Sequence, residues 1–147
     1  MHLSKQLAGT ARIRAATERR PQEGTMRFRG IRGAVTAGAN TEQAILDATE
    51  ELLQQMVRAN EVDVDDIAGI IFTMTPDLTA AFPAEAARRL TGWTQVPLLC
   101  SQEIPVPGAL PRCIRILMLI NTTKTLDEVT HVYLRDAERL RPDLTRS

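Results

Sequence analysis

Two arginines in this sequence stand where a guanidinium group is able to do chemistry. Arg115 interrupts the run CIRILMLI, in which all the remaining positions are apolar. Because desolvating its charge is costly, an arginine among apolar side chains needs an anionic partner, either an internal carboxylate or the carboxylate or developing oxyanion of a ligand. Arg32 lies between Gly30 and Gly33, whose missing side chains leave room for backbone or ligand to approach. The alternative interpretation of Arg32 is a solvated arginine at the end of a strand.

A cysteine and a glutamate bracket the junction between a predicted strand and an irregular loop, where functional groups are often mounted. Cys100 is either a small buried hydrophobe or a reactive thiol, and the lack of a histidine nearby in the sequence favours the first. Glu103 is either functional or a carboxylate that caps exposed backbone amides. Tyr133 needs a hydrogen-bond partner if its hydroxyl is buried, and His131 is interpreted as a surface histidine.

The sequence does not predict a metal site. Its histidines are His2 and His131, and it has no Cys-x-x-Cys, so zinc ligation is not expected. Asp63, Asp65 and Asp66 lack the glycine and terminal glutamate of a calcium-binding loop, and we interpret them as solvated acids that flank a helix. A glycine-rich phosphate loop and a nucleophile elbow are also absent from the sequence.

Composition predicts one globular domain that binds neither nucleic acid nor membrane. The chain has 147 residues, of which 44% are hydrophobic and 24% charged. Eighteen Lys and Arg balance 18 Asp and Glu, and aromatic residues make up only 3%, so long polyanions are poor partners. The longest apolar stretch, Ile116 to Ile120, is far shorter than the roughly 20 residues of a membrane span. Two cysteines do not form a disulfide framework, which favours the cytoplasm.

The zero net charge conceals a division of the chain into two parts. Residues 1–25 carry five Lys and Arg against two Glu, a net +3, which leaves −3 for the remainder. We predict a flexible basic N-terminal extension over 1–25 and a folded domain over 26–147. Two alternatives stay open for the extension, namely a start codon upstream of the true one at Met26 and a transit peptide.

Periodicity in the first half predicts a strand, a helix and a second strand. The strand is RFRGIRGAV, starting at Arg27. Asn40 is expected to cap the helix with Gln43 reaching back, and apolar residues then recur at helical spacing. These apolar positions are Ile45, Ala48, Leu52 and Met56. The run IAGIIFTMT follows and is typical of a strand covered on both faces.

The second half predicts a short helix and three more strands. The helix begins at Pro83 and runs through AEAARRL to a stop at Gly92. VPLLC, CIRILMLI and HVYL are the predicted strands, and SQEIPVPGALP is an irregular connection. Strands alternating with helices indicate an α/β or α+β domain built on a single mixed β-sheet.

The ordered series GIRGA, TPDL, AFPAEAAR, GW, VPLLCSQE, CIRILM, HVYL and LRPDL resembles the monofunctional AroH-type chorismate mutase family, from Met26 to about Leu144. The resemblance implies an α/β subunit and a homotrimeric pseudo-α/β-barrel with active sites in clefts between subunits. It also implies conversion of chorismate to prephenate, in phenylalanine and tyrosine biosynthesis. This Claisen rearrangement needs no proton transfer, metal or cofactor.

The same resemblance implies roles for particular residues. Arg115 would reach the ether oxygen and a carboxylate of the substrate, while Arg32, with Tyr133 alongside, would hold the side-chain carboxylate. Cys100 and Glu103 would face the ring hydroxyl. Backbone contacts would come from Leu99, Ser101 and Gln102, apolar walls from Phe82, Ala84, Leu98 and Leu140, and peripheral cations from Arg88 and Arg141.

One residue departs from the family pattern, since Glu85 stands where related sequences can carry a lysine. Its negative charge would disfavour a dianionic substrate slightly, which affects affinity more than chemistry. Two other functions stay open. One is a trimeric enzyme of the imine or enamine deaminase type, which the two arginines and the Cys-x-x-Glu argue against. The other is a non-catalytic trimeric binder of aromatic-pathway metabolites, for which Glu85 is the one hint.

Overall fold

A computed structural model describes residues 24–143 of the chain. The predicted basic extension over 1–25 lies almost wholly outside the described residues, and the domain division stays a prediction. The strands are β1 (Arg27–Thr36), β2 (Ile67–Met74), β3 (Leu98–Gln102), β4 (Cys113–Thr122) and β5 (Val132–Leu134), and the α-helices are α1 (Glu42–Asn60) and α2 (Ala84–Arg88). Short 3-10 turns cover Val64–Asp66, Leu126–Glu128 and Arg135–Arg139.

The five strands form one mixed sheet in the order β3-β2-β4-β1-β5. The central strand, β4, is antiparallel to both of its neighbours, β1 and β2. The outer strands are parallel to theirs, β3 to β2 and β5 to β1. The predicted fold class, an α+β domain on one mixed sheet, is therefore confirmed.

The helix α1 covers one face of the sheet. The predicted apolar stripe of this helix is confirmed, since Ile45, Leu52 and Met56 are fully buried against the strands. The helix comes very close to β1 at Gly33, where an added Cβ would lie 2.4 Å from the Met56 sulfur. The close approach predicted for this glycine is thus made by core side chains of α1. The covered side of the sheet is called the core face below.

The start of α1 differs from the prediction by one residue. Thr41 is the N-cap, and its side chain accepts a hydrogen bond from the backbone N–H of Ala44. Asn40 instead reaches across to the loop after β2, where its Oδ1 accepts from the N–H groups of Thr79 and Ala80. Asn40 therefore ties this loop to the start of α1.

The opposite side of the sheet, called the open face below, is not covered by a helix of the described chain. Strand β4 alternates between the two faces, with Ile114 and Ile116 buried on the core face while Leu117 is half-buried on the open face. The expectation that β2 is covered on both faces is not met within one chain, because Ile71 and Thr73 are also only half-buried on this side.

Two other predicted elements shift at their ends. Helix α2 ends at Arg88, four residues before Gly92, because the chain continues in tight turns in which the N–H of Leu90 bonds to the carbonyl of Ala87. Strand β3 runs from Leu98 to Gln102, two residues beyond the prediction, because pairing with β2 extends to the end of both strands.

Candidate active site

A row of paired residues crosses the open face of the sheet. Following the strand order, it consists of Ser101, Thr73, Arg115, Ala34 and Tyr133. Each is the register partner of the next, so their side chains leave the sheet on one side. The row brings together residues from all five strands.

Arg32 lies beside this row, two residues before Ala34 on β1 and on the same face of the sheet. It is the register partner of Leu117, two residues from Arg115 on β4, so the two predicted arginines are diagonal neighbours on the open face. A cavity of about 420 Å³ opens above them. Its cationic lining is Arg32, Arg115 and Arg141, and its other side chains include Thr73, Leu117, Tyr133 and Leu140.

Arg115 has the anionic partner that the sequence required, but it is not buried. Its Nε donates to Oε1 of Glu103 at 3.1 Å, and the side chain is 46% exposed within one chain. Strand β4 alternates between the two faces, which puts residue 115 on the open face. Glu103 does not cap backbone amides as its alternative role required. Its own N–H donates to the carbonyl of Met74, and its carboxylate also accepts from Thr73.

The floor of the cavity at β1 and β5 is a small buried cluster of Ala34, Cys113, Tyr133 and Ala137. Tyr133 is buried on its β5 position while still lining the cavity. Burial raises the pKa of the Cys113 thiol to about 11, so this cysteine is an inert part of the floor. Sequence reasoning did not select Cys113, Ala34 or Thr73 for the site. The one sequence signal for Thr73 is a hydroxyl within the apolar run IAGIIFTMT, a signal that it shares with Thr75.

The last described residues form one wall of the cavity. Leu140 follows the 3-10 turn Arg135–Arg139 and packs on the floor cluster, and Arg141 lines the cavity beside it. Arg141 forms two hydrogen bonds to the carboxylate of Asp143, at 3.1 and 2.9 Å. The hydrogen bonds to Asp143 raise the pKa of Arg141, so this group stays cationic.

A network behind the row fixes the start of β4. The Thr75 hydroxyl donates to Asp77 at 2.5 Å and accepts from the N–H of Cys113 at 2.9 Å, and the other oxygen of Asp77 accepts from the N–H of Arg112 at 2.8 Å. Burial alone would raise the pKa of Asp77, but these hydrogen bonds and the Arg112 charge lower it overall. The TPDL segment thus fixes the residue at which β4 begins and, through it, the position of Arg115 on that strand.

The remaining predicted site residues lie elsewhere. Cys100 is the register partner of the core residue Phe72, so it leaves β3 on the core face, away from Arg115. It lines a second, smaller cavity of about 230 Å³ with Phe82, Ser101 and Gln102. Within a single chain, strand alternation and the turn after β3 place Cys100 and Glu103 on different sides of the sheet, and their presence in one site stays a prediction.

The other predicted site residues lie on helix α2 and on strand β3. Ala84 is buried in the core, and Arg88 pairs with Glu85 in a close ion pair on the exposed side. Leu98 is opposite Ile70 on the core face, whereas Leu99 is 61% exposed on the open face. The predicted residues thus form two groups. The first group lines the cavity of the open face, or, for Glu103, is bonded to Arg115 beside it, and consists of Arg32, Glu103, Arg115, Tyr133, Leu140 and Arg141. The second group lies around α2 and the core-face edge of β3, and consists of Phe82, Ala84, Arg88, Leu98, Cys100 and Gln102.

Guanidinium groups above apolar side chains suit a small ligand that carries carboxylates, and the cavity has the size of a small-molecule site. Across residues 24–143 no cluster of three His, Cys, Asp or Glu side chains is placed to hold a metal ion. Neither helix in that range is long and apolar enough to cross a bilayer. The cavity on the open face thus has the size and the cationic lining that suit a small anionic ligand, on a mixed sheet of an α+β domain.

Comparisons with known proteins extend this description. The family model for chorismate mutase type I matches residues 28–144. The chain is 57% identical over 117 residues to the chorismate mutase AroH of Thermus thermophilus, covering 79% of this chain and 95% of the relative. It is 44% identical over 120 residues to the chorismate mutase AroH of Bacillus subtilis strain 168, covering 82% and 94%.

A solved structure agrees with the sequence relatives. The chorismate mutase from Clostridium thermocellum superposes with a TM-score of 0.74 at 49% identity, over 76% of this chain and 98% of that one. The chain therefore belongs to the type I chorismate mutase family, and its activity is that of a chorismate mutase, an isomerase of aromatic amino acid biosynthesis. The predicted family resemblance and function are confirmed.

Proposed function

We propose that the cavity of the open face is where the chain converts chorismate to prephenate. The observation that carries the proposal is the placement of Arg115 and Arg32 as diagonal neighbours above an apolar floor. The substrate carries two carboxylates, and planar guanidinium groups bind carboxylates through paired hydrogen bonds. The acidic balance of the remaining chain makes this local placement necessary for binding a dianion.

The reaction is an intramolecular rearrangement in which a C–O bond breaks as a C–C bond forms. Atoms and electrons balance within the substrate, so the protein contributes shape and charge only. Arg32 would bind the side-chain carboxylate, with the Tyr133 ring against it, which holds the flexible side chain over the ring and removes rotational freedom in advance. Leu117 and Leu140 would exclude water from the reacting atoms.

Arg115 would stabilise the transition state. Its Nε is engaged by Glu103, so the two terminal Nη groups are the donors that would meet the ether oxygen as negative charge develops there. A fixed cation in a site with little water to reorganise stabilises such charge strongly. Glu103 would orient this cation and accept a hydrogen bond from the ring hydroxyl.

The second residue group supports an assembly of several chains. Within one chain, Phe82 and Cys100 cannot reach a ligand bound at Arg115. They lie together on the core-face side of the sheet, whereas Arg115 lies on the open face. We infer a homotrimer in which this second group of one subunit closes the cavity of the next. Large exposed apolar side chains favour such an interface, since Phe28 is 59% exposed, Leu99 61% and Phe82 67%. Cys100 and Gln102 would then reach the ring from the neighbouring subunit. A cytoplasmic location stays a prediction; Cys100 and Cys113 are free thiols.

Purified protein mixed with chorismate tests the activity. We expect loss of the chorismate ultraviolet absorbance with stoichiometric appearance of prephenate. Replacing Arg115 by Lys keeps the charge and loses the fork, and we expect kcat to fall by about 10²- to 10³-fold with little change in thermal stability. Arg29→Lys, a matched change on β1 outside the cavity, should leave kcat within about twofold. Binding without turnover would support a non-catalytic binder, and near-normal turnover of Arg115→Lys would remove its assigned role.

Subunit mixing tests the shared site. Light scattering should give the mass of a trimer. Arg115→Ala and Phe82→Ala chains, each impaired alone, should regain activity when unfolded and refolded together, because about a quarter of the sites then combine an intact Arg115 with an intact Phe82. A monomeric mass, or a mixture no more active than the sum of its parts, would overturn the inter-subunit arrangement.

A further inference from the structure

Thr73 makes the shortest contact to the carboxylate that faces Arg115. Its hydroxyl donates to Oε2 of Glu103 at 2.6 Å, while Arg115 donates to Oε1 of the same group at 3.1 Å. Each oxygen of the carboxylate therefore has its own donor, and the two donors are register partners on adjacent strands. The three side chains thus form one hydrogen-bonded arrangement on the open face, with Glu103 between the two donors.

This arrangement is attached to the sheet at two points along β2. Thr73 holds the carboxylate end of Glu103, and the carbonyl of the next residue, Met74, accepts from the Glu103 backbone N–H at 2.9 Å. The Glu103 side chain is only 16% exposed, whereas that of Arg115 is 46% exposed. Glu103 is thus the more enclosed partner of the ion pair, and the more exposed Arg115 depends on it for a single orientation, because ordering a long side chain costs rotamer entropy.

A freely rotating carboxylate would not hold a guanidinium in one orientation. A hydroxyl donor on the far oxygen fixes the plane of the Glu103 carboxylate, and hydrogen bonds to charged groups are stronger than neutral ones. With that plane fixed, Nε of Arg115 has one favourable position, and its two Nη groups are directed to the cavity. We propose that Thr73 is a positioning residue for the reaction, which acts on Arg115 through Glu103. This inference rests on the proposed function.

Replacement of Thr73 tests the proposal, with kcat and KM for chorismate measured on the assembled protein. Thr73→Val keeps the shape and β-branching but removes the donor, and we expect kcat to fall by about 10-fold or more with a smaller change in KM. Thr73→Ser restores the hydroxyl and should return kcat to within about threefold of the wild type. Thr122→Val, the same change at the far end of β4, is the matched control and should leave kcat unaltered.

A double-mutant cycle separates positioning from a general structural effect. If Thr73 acts through the carboxylate, Thr73→Val should have no further effect on kcat in a Glu103→Ala background. Full additivity of the two changes, or wild-type kcat in Thr73→Val, would overturn the proposal. If Thr73→Val fails to fold in thermal denaturation, Thr73→Ala is measured in the same cycle. A wild-type chain that does not convert chorismate would instead overturn the proposed function, and this inference with it.

Discussion

The backbone N–H of Arg32 donates to Nδ1 of His131 across 2.9 Å. This bond ties the part of β1 that lines the open-face cavity to the segment that leads into β5. It requires a neutral histidine, because a protonated ring would present a second N–H where the acceptor now stands. His131, predicted as a surface residue, is in fact partly buried at this junction.

The Arg32–His131 bond predicts a loss of stability in mild acid. Burial, together with the charges of Arg32 and Arg141, holds the pKa of His131 below its ordinary value of 6.5. The unfolded chain therefore binds more protons than the folded one as pH falls through 6.5, so the free energy of unfolding decreases there. His131→Asn keeps an acceptor and does not titrate. Urea denaturation between pH 7.5 and 5.5 should show a flatter dependence for this variant, and identical slopes would contradict the role of His131.

The network around Asp77 predicts a second loss at lower pH. Burial raises the pKa of Asp77, but the bonds from Thr75 and Arg112 outweigh it, and the lowered pKa means that this carboxylate stabilises the fold above about pH 4 and stops doing so as pH falls through its folded value. Asp77→Asn should destabilise the protein by about 1 kcal/mol at pH 7 and lessen the acid dependence. Asp65→Asn, in the exposed turn before β2, is the control and should change the free energy of unfolding by less than about 0.5 kcal/mol. Equal stabilities of the two variants at pH 7 would contradict this account.

The contact between α1 and β1 predicts that Gly33 tolerates no side chain. An added Cβ would meet the Met56 sulfur at 2.4 Å and Leu52 Cδ1 at 3.1 Å, both fully buried side chains. We expect Gly33→Ala to lower the free energy of unfolding by about 1–3 kcal/mol, as overpacking does. Gly38→Ala is the control, since nothing lies within 4 Å of its added Cβ. A Gly33→Ala chain as stable as Gly38→Ala would show that α1 adjusts freely.

The ion pair of Glu85 with Arg88 predicts that this carboxylate weakens substrate binding. On the trimer that we infer, α2 of one subunit borders the cavity of the next, and Glu85 offsets the cation that would attract a dianion. Glu85→Gln should lower KM for chorismate by about two- to fivefold at low salt and less at high salt, with kcat unchanged. Glu50→Gln on α1 is the matched control. An unchanged KM in Glu85→Gln would show that α2 lies away from the cavity in the assembly.

The sequence predicted the elements well and the sides of the sheet poorly. The stripe on α1 was read correctly because one face of that helix is apolar and the other polar. Strand β4 gave no such contrast, since Leu117 on the open face is as apolar as Ile116 in the core. The face of the sheet on which a side chain of β4 lies then depends on the strand register, which cannot be deduced from an evenly apolar sequence. For the same reason the sequence did not indicate that Cys100 and Glu103, three residues apart, lie on different sides of the sheet in one chain.

The two predicted residues that the structure pairs directly, Arg115 and Glu103, include the one for which chemistry alone required a partner. Arg115 demanded an anion wherever it pointed, and Glu103 supplies it. Thr73 escaped notice because a threonine in a strand is ordinary on propensity grounds. Its role depends on a loop that returns Glu103 to the end of β2, a contact between residues 30 positions apart.

The position of β4 between β1 and β2 determines when the sheet can form during synthesis. β1 and β2 are complete by residue 74, yet each pairs with β4 and neither with the other. On the ribosome, both must wait with unpaired edges until Cys113–Thr122 has emerged. Such long-range pairing slows folding and leaves apolar strands such as IAGIIFTM open to association with other nascent chains. The row of paired residues across the open face is therefore completed only after β4, and then β5, has been synthesised.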